Sequence, residues 1–96
     1  MVARKNLSGK IRRVLARRMK AALGNGARVR VERHGYRDSL DVTVVSPRFG
    51  RTPWLKRCRL IWTWLDEDLT LSERIKIAGL IALTPAEARR MFRTGA

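Results

Sequence analysis

Five cations fall close together at Arg48, Arg51, Lys56, Arg57 and Arg59, astride a Thr52-Pro53 step that reads as a helix start. Arginine forks take phosphate oxygens two at a time, and a helix N-terminus adds free N–H donors and a favourable dipole. The chemistry suited to this cluster is phosphate binding. Arg12, Arg13 and Arg17 add a second basic surface nearer the start of the chain. Catalytic arrangements are poorly supplied by comparison. His34 and Cys58 are the only His and Cys, so no Cys–His or Ser–His–Asp set is suggested by local spacing. Asp66-Glu67-Asp68 is the one acidic cluster, and consecutive helical residues fan about 100° apart rather than converging on a metal. No Walker or dinucleotide glycine loop is present. These residues point to a non-enzymatic binding protein with no favoured metal site and no cofactor.

The charge balance sharpens that reading. The formal net charge is +14, with a pI near 11.7. Self-repulsion on that scale opposes compactness, so a polyanionic partner is expected, RNA or DNA ahead of anionic lipid or an acidic protein. Every charged residue before Glu32 is Lys or Arg. A basic amphipathic start can serve as a mitochondrial targeting peptide, but here the same segment supplies a helix that the rest of the pattern requires. A retained helix is the reading adopted, compatible with a mature mitochondrial protein. A single cysteine excludes an internal disulfide and fits a reducing intracellular compartment, the mitochondrial matrix or a bacterial cytoplasm. The 96 residues suffice for one domain. No run approaches the roughly 20 apolar residues of a membrane span.

The elements that must position the cations follow from periodicity. Ser8 reads as an N-cap, followed by Ile11, Val14, Leu15, Met19, Ala22 and Leu23 at helical spacing, with Arg12, Arg13, Arg17 and Lys20 largely opposite. Gly24-Asn25-Gly26 ends that helix. Val29 and Val31 alternate with Arg28, Arg30 and Glu32 in a half-exposed strand, and Leu40, Val42 and Val44 form the core face of a second, antiparallel one. Thr52 as cap and Pro53 at the first position open the second helix, whose stripe is Trp54, Cys58, Ile61 and Leu65, widened by Leu55, Trp62 and Leu69. Leu71-Ser72 marks a break. Residues 75–82 read as a strand buried on both faces, and Thr84-Pro85-Ala86-Glu87 is a capping box opening a last helix through Met91 and Phe92. The order helix, strand, strand, helix, strand, helix makes a two-layer α+β sandwich. The parsing is a basic extension over 1–9, one domain over 10–92 and a tail over 93–96.

The run Val44-Val45-Ser46-Pro47-Arg48-Phe49-Gly50, then Arg57-Cys58-Arg59-Leu60 and Thr84-Pro85, resembles the BolA family in order and register. The likeness extends over roughly residues 10–88, with its sharp motifs between Val44 and Leu60. It implies a BolA-like fold, related to KH domains, with a three-stranded sheet and helices on one face. In that family a histidine of Arg-His-Arg and a Cys or His in the loop between the first two strands hold a [2Fe–2S] cluster shared with a monothiol glutaredoxin. Here Cys58 stands at the first position and His34 lies in the loop. The alternative function implied is therefore cluster assembly with such a glutaredoxin, Cys58 and His34 being the ligands. The family's second conserved histidine corresponds to Lys76.

Two readings of the aromatic residues complete the expectation. Trp54 and Trp62 share the apolar stripe, whereas Trp64 leaves it and suits a protein–protein contact, as in a fixed subunit of a ribonucleoprotein or another mitochondrial assembly. No Gly-x-x-Gly loop and no row of strand aromatics is present, so recognition is expected to run through the phosphate backbone rather than the bases.

Overall fold

The computed structural model describes residues 4–33 and 39–94. Helix α1 runs from Arg4 to Leu23, earlier than the expected cap at Ser8. The reason is Leu7, one turn ahead of Ile11, which is itself buried and carries the apolar stripe back by a turn. Ser8 is thus interior to the helix, and Ala22, expected on the stripe, is exposed. Gly24 and Gly26 turn the chain out of α1 at φ of 74° and 93°, a left-handed backbone that a β-carbon would strain.

Strand β1 (Arg28–Arg33) pairs antiparallel with β2 (Leu40–Val45), with Val29 opposite Val44 and Val31 opposite Val42. Strand β3 (Ile77–Leu83) then adds parallel to β2, giving the sheet order β1-β2-β3. A parallel neighbour requires a long crossover. Helix α2 (Trp54–Asp68) and the one-turn α3 (Leu71–Arg74) supply it. The expected break at Leu71-Ser72 is that turn, fixed by a capping box between Thr70 and Glu73. β3 starts two residues later than expected, leaving Ile75 exposed, because the α3 turn consumes the residues before it. Nor is β3 buried on both faces: Ala78 is exposed and Gly79, Leu80 and Ile81 are half-buried, as befits an edge strand.

Ile11, Leu15 and Met19 of α1 and Ile61, Trp64 and Leu65 of α2 close over Leu40, Val42 and Val44. The central strand therefore anchors one core beneath both helices. The last helix, α4 (Pro85–Thr94), opens on the expected capping box: Glu87 Oε1 accepts from Thr84 N–H at 2.7 Å, and Thr84 Oγ1 accepts from Glu87 N–H at 3.2 Å. No helix among the described residues is long and apolar enough to cross a membrane.

Helix α2 is rotated relative to the stripe read from sequence. Trp64 lies in the core at 7% exposure, while Leu55 stands 73% exposed and Trp54 is also exposed. At about 100° per residue, the buried sector centres between Arg57, Ile61, Trp64 and Leu65 rather than on Trp54 and Cys58. The expectation that Trp64 faces a protein partner is therefore corrected. Its indole is needed over the sheet, and the exposed apolar corner of this helix is Trp54 with Leu55.

Candidate nucleic-acid interface

The basic segment before α2 is a built structure rather than a loop. Pro47–Arg51 forms a 3₁₀ helix, with Ser46 as its cap accepting from Arg48 N–H at 3.1 Å. Phe49 drops from it into the core, which turns Arg48, Gly50 and Arg51 outward. Pro47 and Arg48 lie close beside Gly26 and Gly24, so this turn adjoins the C-terminus of α1. There the carbonyl ends of α1 attract a guanidinium. Arg13, Arg17 and Lys20, at i, i+4 and i+7, line the outward side of α1 and are exposed, as is Arg12 one step around the helix. The basic stripe of α1 thus runs toward the 3₁₀ turn.

Pro53, not Thr52, is the N-cap of α2, with no side chain capping the helix. Its carbonyl accepts the first helical bond, from Arg57 N–H at 3.1 Å. The N–H groups of Trp54, Leu55 and Lys56 precede that bond and are among the donors a helix leaves open. Lys56 and Arg59 are exposed beside them.

Arg57 is the exception. Expected as a phosphate ligand, it is only 7% exposed and its guanidinium is spent internally. Nε donates to Thr52 O at 2.7 Å, and Nη1 donates to Ala82 O at 3.1 Å and to Glu87 Oε1 at 2.8 Å. The guanidinium also sits 5.7 Å from the centre of the Phe49 ring. The physical reason is position: Arg57 is the inward residue of the first turn of α2, where it reaches the edge of β3 and the start of α4. It clamps three elements and offers nothing to a ligand.

That clamp sets an acid limit on stability. Hydrogen bonding from Thr84 N–H, then from Arg57, lowers the Glu87 carboxyl from 4.5 to about 2. A carboxylate with a depressed folded value stabilises the fold above its unfolded value and loses that contribution as pH falls. The contribution of Glu87 should therefore fade between pH 4.5 and about 2. Thermal midpoints recorded from pH 6 down to 2 should show a smaller drop for Glu87→Gln than for the parent; equal drops would remove Glu87 from the account.

The remaining carboxylates sort the cations further. Asp66, Glu67 and Asp68 balance arginines at the end of α2. Arg18 bridges Glu67 at 3.0 Å and Asp68 at 2.9 Å, and Arg74 meets Asp66 at 3.1 Å. The Arg18 hydrogen bond, foremost, holds the Asp68 carboxyl below its ordinary value. Lys10 meets Glu73 at 2.9 Å, and Arg30 meets Glu32 at 3.3 Å. These acids are thus taken by Lys10, Arg18, Arg30, Arg57 and Arg74. Arg12, Arg13, Arg17, Lys20, Arg48, Arg51, Lys56 and Arg59 form no ion pair among the described residues. Lys20 was absent from the candidate phosphate ligands; its i+7 spacing from Arg13 was the signal.

The chain matches no family model and no curated relative. Solved structures do match. One is a BolA protein homologue from Coxiella burnetii, 24% identical, with a TM-score of 0.56 over 94% of this chain and all of that one. This is a BolA-like fold. BolA1 from Arabidopsis thaliana is also similar, 21% identical, with a TM-score of 0.55 over 91% of this chain and 98% of the other.

Within this BolA-like fold Cys58 is half-buried on the flank of α2. Burial pushes its thiol above the ordinary value, with the neighbouring Arg57 charge acting in the opposite direction. A cluster at this position would bind the thiolate form. His34, the other expected ligand, lies outside the described residues. Among those residues no group of three or more His, Cys, Asp or Glu is placed to hold a metal ion. Of the two expected ligands, the described residues include Cys58 alone.

Proposed function

We propose that this chain is a non-enzymatic binder of nucleic-acid phosphates, acting alone or as a fixed subunit of a ribonucleoprotein. The observation that carries this reading is the sorting of charges. The ion pairs among the described residues occupy a few cations, and exposed cations on α1, the 3₁₀ turn and the first turns of α2 are left over. Open N–H donors at the α2 N-terminus supplement it. Contact is to phosphates, so binding to RNA and DNA duplexes of unrelated sequence should be similar in strength.

The test is titration of a fluorescent duplex, followed by anisotropy, against the parent and against Arg48→Ala/Arg51→Ala/Arg59→Ala. All three side chains are exposed, so the variant should unfold at nearly the parent temperature while binding all sequences more weakly. Unchanged affinity in a folded variant would refute the interface. The alternative, cluster assembly with a monothiol glutaredoxin, is distinguished by mixing the chain with the cluster-loaded glutaredoxin. The expected result is an unchanged visible spectrum; a new absorption band lost in Cys58→Ala would establish the alternative instead.

A further inference from the structure

Opposite the core, the sheet carries a second basic site that the sequence did not single out. Arg28 pairs with Val45 and Arg30 with Thr43 across the β1–β2 ladder, so all four share the outer face. Helix α4 returns along this side and brings Phe92 beneath the Arg30 guanidinium, 5.1 Å from the ring centre. Between them lies a cleft of about 460 Å³, lined by Arg28, Arg30 and Arg89 with Val45, Ala88 and Phe92. Its volume falls in the range of small-ligand sites.

We infer that this cleft holds one nucleotide of a single-stranded nucleic acid, the base against Phe92 and the phosphates on Arg28 and Arg89. The inference rests in part on the proposed phosphate binding but concerns a different surface. Three features carry it. The cleft combines an apolar floor with guanidinium groups at its rim, matching a flat base attached to an anion. Arg30 stacks on Phe92 and is steadied by Glu32 at 3.3 Å, which makes a planar wall of a kind that bases stack against. Phe92, an aromatic residue beside arginines, is 42% exposed and so open to a ligand. The sheet has no aromatic row of its own; α4 delivers the single platform. Stacking is sequence-tolerant, so the site distinguishes single strands from duplexes rather than one base from another.

The experiment uses the full chain, Phe92→Ala and Arg28→Ala/Arg89→Ala, with four probes: a uridine oligonucleotide, a duplex of equal length, uridine monophosphate and inorganic phosphate. Both variants alter exposed side chains and should keep the fold, which amide NMR spectra verify. For the parent, the monophosphate should shift the amide signals of Val45, Ala88 and Phe92, and inorganic phosphate should not. Phe92→Ala should weaken oligonucleotide binding about tenfold, as stacking of one base implies, while leaving duplex affinity unchanged. Arg28→Ala/Arg89→Ala should weaken the oligonucleotide and the monophosphate alike. Equal loss for oligonucleotide and duplex in Phe92→Ala, or no monophosphate shift, overturns the inference. Failure of duplex binding alone would instead reject the basic stripe, so the two outcomes separate.

Discussion

Arg57→Ala is expected to lower stability by about 2–4 kcal/mol and leave nucleic-acid affinity per folded molecule unchanged. The substitution deletes hydrogen bonds to Thr52 O, Ala82 O and Glu87 Oε1. It leaves the Ala82 carbonyl without its donor, because the odd-numbered carbonyls of β3 face β2, as the bond from Ser46 N–H to Leu83 O shows. It also strips the Glu87 carboxylate of its cation. For a domain of this size the unfolding midpoint should fall by about 10–30 °C. Arg57→Lys should recover little of this, since a single ammonium cannot span the three acceptors met by the planar fork. Calorimetry with both variants, beside anisotropy at a temperature where each is folded, gives the answer. A stable Arg57→Ala that binds duplex weakly would return Arg57 to the interface and remove it from the frame.

The second large effect concerns salt. If about 6–10 cations release counterions from a duplex, affinity should fall 10³- to 10⁵-fold between 50 and 200 mM salt. The exposed set that forms no ion pair among the described residues supplies that number from α1, the 3₁₀ turn and α2. Removing Arg48 and Arg51 together should reduce the slope of log affinity against log salt by about two, close to one for each lost phosphate contact. Arg18→Ala offers the contrasting case. Its guanidinium is engaged by Glu67 and Asp68, so the variant frees two carboxylates near Arg17 and should change the slope through repulsion, not through a lost contact. Salt-independent affinity would exclude phosphate binding as the main source of attraction.

Both expectations turn on which arginines face water, and local sequence holds only part of that information. The element order, the glycine exit from α1, the alternation in β1 and the Thr84–Glu87 capping box were all legible, because each depends on residues within a turn or two. So was the cation excess, a matter of counting. The helix stripe of α2 was not. With Trp54, Leu55, Cys58, Ile61, Trp62, Trp64 and Leu65 all apolar, its apolar arc is wider than any one buried face. The sheet beneath selects among the possible rotations. Selecting Trp64 for the core also placed Arg57 inward, against the end of β3.

The sequence by itself thus determined a basic α+β chain and its order of elements, as far as short-range periodicity reaches. Tertiary structure alone decided the role of each cation, because Arg57 meets Ala82 and Glu87 across 25 and 30 residues of chain. It likewise brought Phe92 of α4 to Arg30 of β1, a contact between distant parts of the chain that no local spacing encodes. Charge is additive along a chain and can be read without folding it. Whether a charge is spent on the fold or left for a ligand depends on partners that only folding brings within hydrogen-bond distance.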